Sequence, residues 1–157
     1  MRVRAWLLIG AFGLLLVPPL RAQAPPACPG PADVCAFLTT FLSALNRRDW
    51  DAFRGTFAED ITVIFDRPGP PQRQEGRAAV EAVFQNIFPA PGSPPGPTAT
   101  PVLPDSLMVQ ALGDVAVVSF HVRHADQLGR RTLVFHRTAD GWKVVHIHGS
   151  SAPLPPQ

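Results

Sequence analysis

The chain contains no tyrosine among its 157 residues. That excludes any acid–base site built on a phenol donor facing an oxyanion. Cysteine is scarce too: only Cys28 and Cys35 are present, and a C-x6-C spacing has no specific metal-binding or redox meaning. No apolar run reaches the roughly 20 residues that a membrane span needs, and no internal repeat suggests a solenoid. Ser150 and Ser151 stand in no nucleophile-elbow pattern, so a serine hydrolase has no support. An excess of positive charge is missing as well once the N-terminus is considered by itself.

What the N-terminus does have is the pattern of a secretory signal. Arg2 and Arg4 form a positive start, Trp6 to Val17 an apolar stretch, and small residues follow at Ala22 and Ala24. Pro25 is a poor residue just after a cut, which puts cleavage after Ala22. The expected organisation is a signal over 1–22, a Pro-rich arm over 23–32, one domain over 33–152 and a tail over 153–157. Arg2, Arg4 and Arg21 leave with the signal, so the net charge of +2 falls to −1. The mature part thus has no electrostatic footprint for nucleic acid and no membrane-spanning segment. Arg47-Arg48 and Arg130-Arg131 read as solvated turns. Export permits a disulfide, and Cys28 and Cys35 are its candidates; a bridge would tie the arm to the first helix.

From Val34 the pattern is helical: Val34, Phe37, Leu38, Phe41, Leu42 and Leu45 fall on one face. Asp33 is the expected N-cap, and Asn46-Arg47-Arg48 the end. Asp49 is expected to cap a short second helix with Trp50, Phe53 and Phe57 on one side. Ile61 to Phe65 reads as a strand, residues 67–74 as a loop, and Arg77 to Phe88 as a third helix. Seven prolines between Pro89 and Pro104 exclude helix and central strand there. Such a long connection is usually tied to function or to contacts between copies. Four more strands follow, Leu107–Leu112, Val115–His124, Arg131–Arg137 and Trp142–His148, with turns at Gly113-Asp114, Gln127-Leu128-Gly129 and Asp140-Gly141. Helices first and strands last make an α+β class.

Two stretches carry a family resemblance. "LSALNRRDWDAFRGTFAEDITVIF" resembles the opening of SnoaL-like domains. "TLVFHRTADGWKVVHIHGSSAP", with "EGRAAVEAVFQNIF" before it, closely resembles the calcium/calmodulin-dependent protein kinase II association domain. The similarity spans Val34 to Leu154. It implies the nuclear-transport-factor-two-like fold: a cone-shaped curved antiparallel sheet wrapped around three N-terminal helices, a cystatin-like half-barrel. It further implies a pocket between sheet and helices and a sheet outer face that pairs with another copy.

The two faces of the sheet can be sorted from alternation. In the second of the four late strands Ala116, Val118, Phe120 and Val122 form one set, and Val117, Ser119, His121 and Arg123 the other. A three-residue loop at Ala139-Asp140-Gly141 puts Val134 opposite His146 and Thr132 opposite His148, with Leu133, Phe135, Val145, Ile147 and Gly149 on the apolar face. A two-residue turn at Asp140-Gly141 would swap the faces. The expected ligand-binding residues are therefore Trp50, Phe53, Phe65, Val80, Phe84, Phe120, Val122, Leu133, Phe135 and Ile147, although core packing is the simpler role for most of the aromatic members. The association-domain resemblance implies a His and several Arg facing an anionic ligand. Here those places hold Val80, Val122, Leu133 and Gly149, so that route is lost.

His146-x-His148 projects two rings to one face of a strand, and with His121 or His136 a three-His zinc site is sterically conceivable. No carboxylate or cysteine matches it, and the family ending implies instead that His121, His136, His146 and His148 serve an interface between copies. The sequence calls for no metal and no cofactor. Asp60 and Asp66 are the carboxylates nearest the first strand, and a pair such as Asp66 with His124 is the candidate for acid–base work. The expectation is an exported domain that binds a small apolar or amphipathic ligand as a homodimer or higher homo-oligomer. The alternatives are an acid–base enzyme, of isomerase or hydrolase type, on the same pocket, and a non-catalytic oligomerisation module.

Overall fold

The computed structural model describes residues 27–66, 73–85, 88 and 101–154. The residues expected to form a signal, part of the Pro-rich arm, most of the Pro-rich connection and the last three residues lie outside them. Three helices precede or interrupt the first strands: α1 (Ala32–Arg47), α2 (Trp50–Gly55) and α3 (Arg77–Gln85). The strands are β1 (Phe57–Phe65), β2 (Arg73–Glu75), β3 (Asp105–Leu112), β4 (Val115–Arg123), β5 (Gln127–Thr138) and β6 (Gly141–Pro153). They form one curved sheet in the order β2-β1-β6-β5-β4-β3. The α+β architecture expected from the sequence is the one observed. One pair departs from an all-antiparallel sheet. β6 returns beside β1 and runs parallel to it, as a long crossover connection allows.

α1 buries Val34, Leu38, Phe41 and Ala44, the apolar stripe read from the sequence. It ends at Arg48, which adopts φ 59° and donates its N–H to Leu45 O at 3.2 Å. Its start corrects the expected cap. The helix begins at Ala32 after Pro31, and the Asp33 carboxylate is engaged elsewhere. It accepts from the Arg137 guanidinium and, at 3.1 Å, from the Trp142 indole N–H. Arg137 in turn stacks 4.4 Å from the Trp142 ring centroid. This cluster fastens the helix start to the β5–β6 hairpin. Asp49 does cap α2, accepting from the Ala52 N–H at 3.0 Å.

Phe57 is not on α2. It opens β1, fully buried, because Thr56 ends the helix and its carbonyl accepts from Val144 N–H on β6 at 2.9 Å. Phe53 is the hub of an aromatic cluster, with ring centroids of Phe41, Phe57, Phe84 and Phe88 between 5.0 and 5.2 Å away. The segment read as a loop over 67–74 contains the start of β2, a short edge strand paired with β1.

Cys28 and Cys35 form a disulfide with Cα atoms 5.8 Å apart. The arm is thereby held against the fold. Gly30 lies on Val109 so closely that a Cβ there would come within 2.5 Å of Val109 Cγ1. At the other end of the Pro-rich connection the Asn46 side chain grips Val102, accepting from its N–H at 2.8 Å and donating to its carbonyl at 3.1 Å.

Candidate functional site

The site is built on the face of the sheet that the helices cover. Along β4 the alternation is complete: Ala116, Val118, Phe120 and Val122 are buried, and Val117, Ser119 and His121 are half-exposed. β5 is paired so that Leu133 faces Val118 and Phe135 faces Ala116 across the ladder. On β6 the buried residues are Trp142, Val144, Ile147 and Gly149.

That last set contains a correction. The closing pair of the hairpin is Thr138 with Gly141, the latter at φ 98°, so the turn holds two residues, Ala139-Asp140. The extra residue sits instead in a bulge at Val145, between the Phe135–Val144 and Val134–His146 pairs. Past the bulge the register is the expected one, Val134 opposite His146 and Thr132 opposite His148. Before it, Val144 rather than Val145 is the buried residue.

All ten residues expected to line a pocket are buried or half-buried in this layer. Phe53, Val80 and Phe135 have no exposed surface, and Phe120, Val122, Leu133 and Ile147 have very little. Trp50 and Phe65 are half-buried. Phe53 acts as core through its ring contacts. One end of the layer is closed by α1, where Phe37 meets Phe135 edge-on at 4.9 Å. At the opposite end stand Phe65, Phe84, Phe120, Val122, Gly149 and one cation, Arg131. Phe65 and Phe84 meet edge-on at 5.6 Å.

Arg131 was read as part of a solvated turn, and the expected turn was Gln127-Leu128-Gly129. Both readings are overturned. β5 already begins at Gln127, with Leu128 opposite Arg123 and Gly129 opposite Val122, and the turn is moved back to residues 124–126. Arg131 therefore falls on the same face as Leu133 and Phe135, opposite Phe120 on β4 and Gly149 on β6. Burial pushes its guanidinium below the ordinary arginine range. The signal for this residue was the alternation itself: Phe135, Leu133 and Arg131 are spaced by two.

The four histidines expected at an interface lie on the other face. His146 is half-buried and its Nδ1 is 2.7 Å from Thr62 Oγ1. Desolvation first, and then the neighbouring His148, push its pKa down from 6.5. Ile64, Thr132, Val134, Val115 and Val117 are half-buried around these rings, while Met108 and Leu112 are 49% and 66% exposed. Among the described residues no group of three or more His, Cys, Asp or Glu is arranged to hold a metal ion.

Asp66 follows β1 and is exposed, with its N–H donated to Gly149 O at 3.0 Å. His124 is in the β4–β5 turn, its N–H donated to Gln127 O at 2.9 Å. The sheet does not bring the two together, since β6 and β5 lie between the strands that carry them.

A SnoaL-like domain model matches residues 34–155. No curated protein matches the chain. Several solved structures share its fold. An NTF2-like protein of unknown function from Pseudomonas putida KT2440 is 22% identical, covers 80% of this chain and 88% of its own, and superposes with a TM-score of 0.62. A cystatin-like fold protein from Burkholderia xenovorans LB400 is 25% identical over 79% of this chain and 92% of its own, with a TM-score of 0.61. A calcium/calmodulin dependent protein kinase II association domain-like protein from Xanthomonas campestris is 19% identical over 85% and 95% of the two chains, with a TM-score of 0.59.

Proposed function

The chain belongs to the SnoaL-like domain family, and from that premise we propose that it is an exported protein that binds a small apolar or amphipathic molecule between its sheet and its helices, as a homodimer or larger homo-oligomer. One observation carries the binding reading. The helix-covered face is apolar along β4, β5, β6 and β1 and ends, away from α1, in the half-buried ring of Phe65 beside a single cation, Arg131. An apolar layer with few polar handles suits an apolar ligand body. Export is supported by the N-terminal signal pattern and by the Cys28–Cys35 disulfide, a bond that persists in oxidising compartments. Assembly through the convex face is supported by the apolar and histidine side chains on it. It is also what the name of the Xanthomonas campestris neighbour suggests.

Binding is favoured over acid–base catalysis because the two candidate catalytic groups, Asp66 and His124, stand on separated strands. Native mass spectrometry of the protein purified from its own host tests the whole reading. The expected spectrum shows at least two copies of the chain and a retained small molecule that is released on denaturation. A bare monomer that takes up no hydrophobic probe would overturn it. Asp66→Asn should leave the retained molecule unchanged; accumulation of a different molecule in that variant would favour an enzyme.

A further inference from the structure

On the helix-covered face of β5, Arg137 at one end pairs with Asp33, whereas Arg131 at the other lies among apolar residues, and two glycines make room for it. Its side chain lies along the sheet between its neighbour two residues back, Gly129, and its partner across the β5–β6 ladder, Gly149. A Cβ at Gly129 would stand 3.2 Å from Nη1 and 3.3 Å from Nη2. A Cβ at Gly149 would stand 3.5 Å from Arg131 Cδ and 2.7 Å from the Phe65 ring. Side chains at these positions would crowd the guanidinium and its aromatic neighbour.

The guanidinium is anchored but not neutralised. Nη1 donates to the carbonyls of Arg130 at 2.8 Å and Ser150 at 3.0 Å. Nε and Nη2 have no acceptor among the described residues, and no carboxylate pairs with the group. Arg77, Arg123 and Arg137, by contrast, each have at least one carboxylate partner. A half-buried cation without a counter-ion is costly unless something supplies the charge. Two free donor nitrogens on a planar fork fit a carboxylate. One cation matches one negative charge, which a phosphate dianion would exceed.

We propose that Arg131 is the anion anchor of this site and that the ligand is an amphipathic monocarboxylate, its acid on Arg131 and its apolar body against Phe120, Val122 and Phe65. The proposal rests on the binding reading above and names its ligand class.

Titration calorimetry with decanoate and decanol at pH 7.5 tests it on the purified protein. Decanoate should bind roughly tenfold to a hundredfold tighter than decanol, the range of a charge-assisted hydrogen bond. Arg131→Gln should lose that preference while decanol binding stays the same. Arg131→Lys keeps a point charge without the fork, and should lose a large part of it. It also guards against a Gln variant that fails to fold. Equal affinity for the two probes would overturn the anion anchor and leave the binding site standing. Binding of neither probe would overturn both. A preference that survives in a folded Arg131→Gln protein would place the anion elsewhere and end the proposal.

Discussion

Single atoms decide the arrangement at the Arg131 end of the sheet. Gly149 needs no unusual backbone there; it needs the absence of a side chain, because the Phe65 ring occupies the space above it. Gly149→Ala should therefore push Phe65 off its position and cost about 1–3 kcal/mol, the usual penalty of overpacking. Phe65→Leu removes the clashing ring edge, so the double variant should be less destabilised than the sum of the two single changes. Chemical denaturation of the four proteins measures the coupling, and strict additivity would show that the ring and the glycine do not touch. The disulfide is a residue-scale device as well. Cys28 and Cys35 are only 7 positions apart, and closing so short a loop stabilises by about 2–3 kcal/mol at most. Cys35→Ser should lower the unfolding free energy by no more than that, and a larger loss would mean that the arm packs more tightly than its contacts with Val109 suggest.

The bulge in β6 sets which side chains face the helices. Val145 is the extra residue. Deleting it should leave Trp142 and Val144 buried on one side and His146, Ile147 and His148 on their present faces. Deleting Lys143 is absorbed in the same way, because Val145 then takes the buried place of Val144 and Trp142 keeps its contacts with Asp33 and Arg137. Thermal unfolding should find both deletions folded and within about 1 kcal/mol of each other, and collapse of either would mean that the bulge itself is required. The same element shows how far sequence reasoning reaches. The faces of β4 were legible because four apolar residues alternate without interruption. The histidine register of β6 was legible as well, since counting Gly141 into the turn gives the same pairs as a bulge at Val145, four residues further on. The bulge itself was not legible, because Val144 and Val145 are identical in chemistry and only the packed hairpin distinguishes them. Gly129 was misread for the opposite reason. A glycine after Gln127-Leu128 resembles a turn, yet here it is a buried strand residue kept small for a side chain two positions away. Asp33 has the composition of a cap but is drawn to Arg137 and Trp142, a contact between residues more than a hundred positions apart that no local pattern contains.

Across the whole molecule, the proposed binding and the proposed assembly fall on opposite faces of one sheet, and the histidine face gives the assembly reading a pH dependence. His146 is flanked by Thr62 on β1, by Val134 and Thr132 on β5 and by His148 on its own strand. On that face Glu75 of β2 lies across Thr62 from His146 and is paired with Arg73, Asp60 precedes Thr62 on β1, and Arg130, His136 and Lys143 stand on β5 and β6. Burial and His148 hold the His146 pKa below its ordinary 6.5. The folded state thus favours the neutral ring, and protonation costs stability. The sign follows from linkage: below 6.5 the unfolded chain binds more protons than the folded one, so the contribution is full above that value and is lost as pH falls through the lowered folded value. If a second copy covers this face, desolvation deepens, and acid should act first on assembly. Sedimentation velocity should show the oligomer at pH 7.5 and a shift toward the monomer by pH 5. His146→Gln has no proton to gain and keeps a hydrogen bond to Thr62, so it should weaken the acid-induced shift in that interval. An oligomer whose mass is unchanged at pH 5, or a His146→Gln variant that dissociates with acid as readily as the parent, would remove His146 as the titrating contact of the interface.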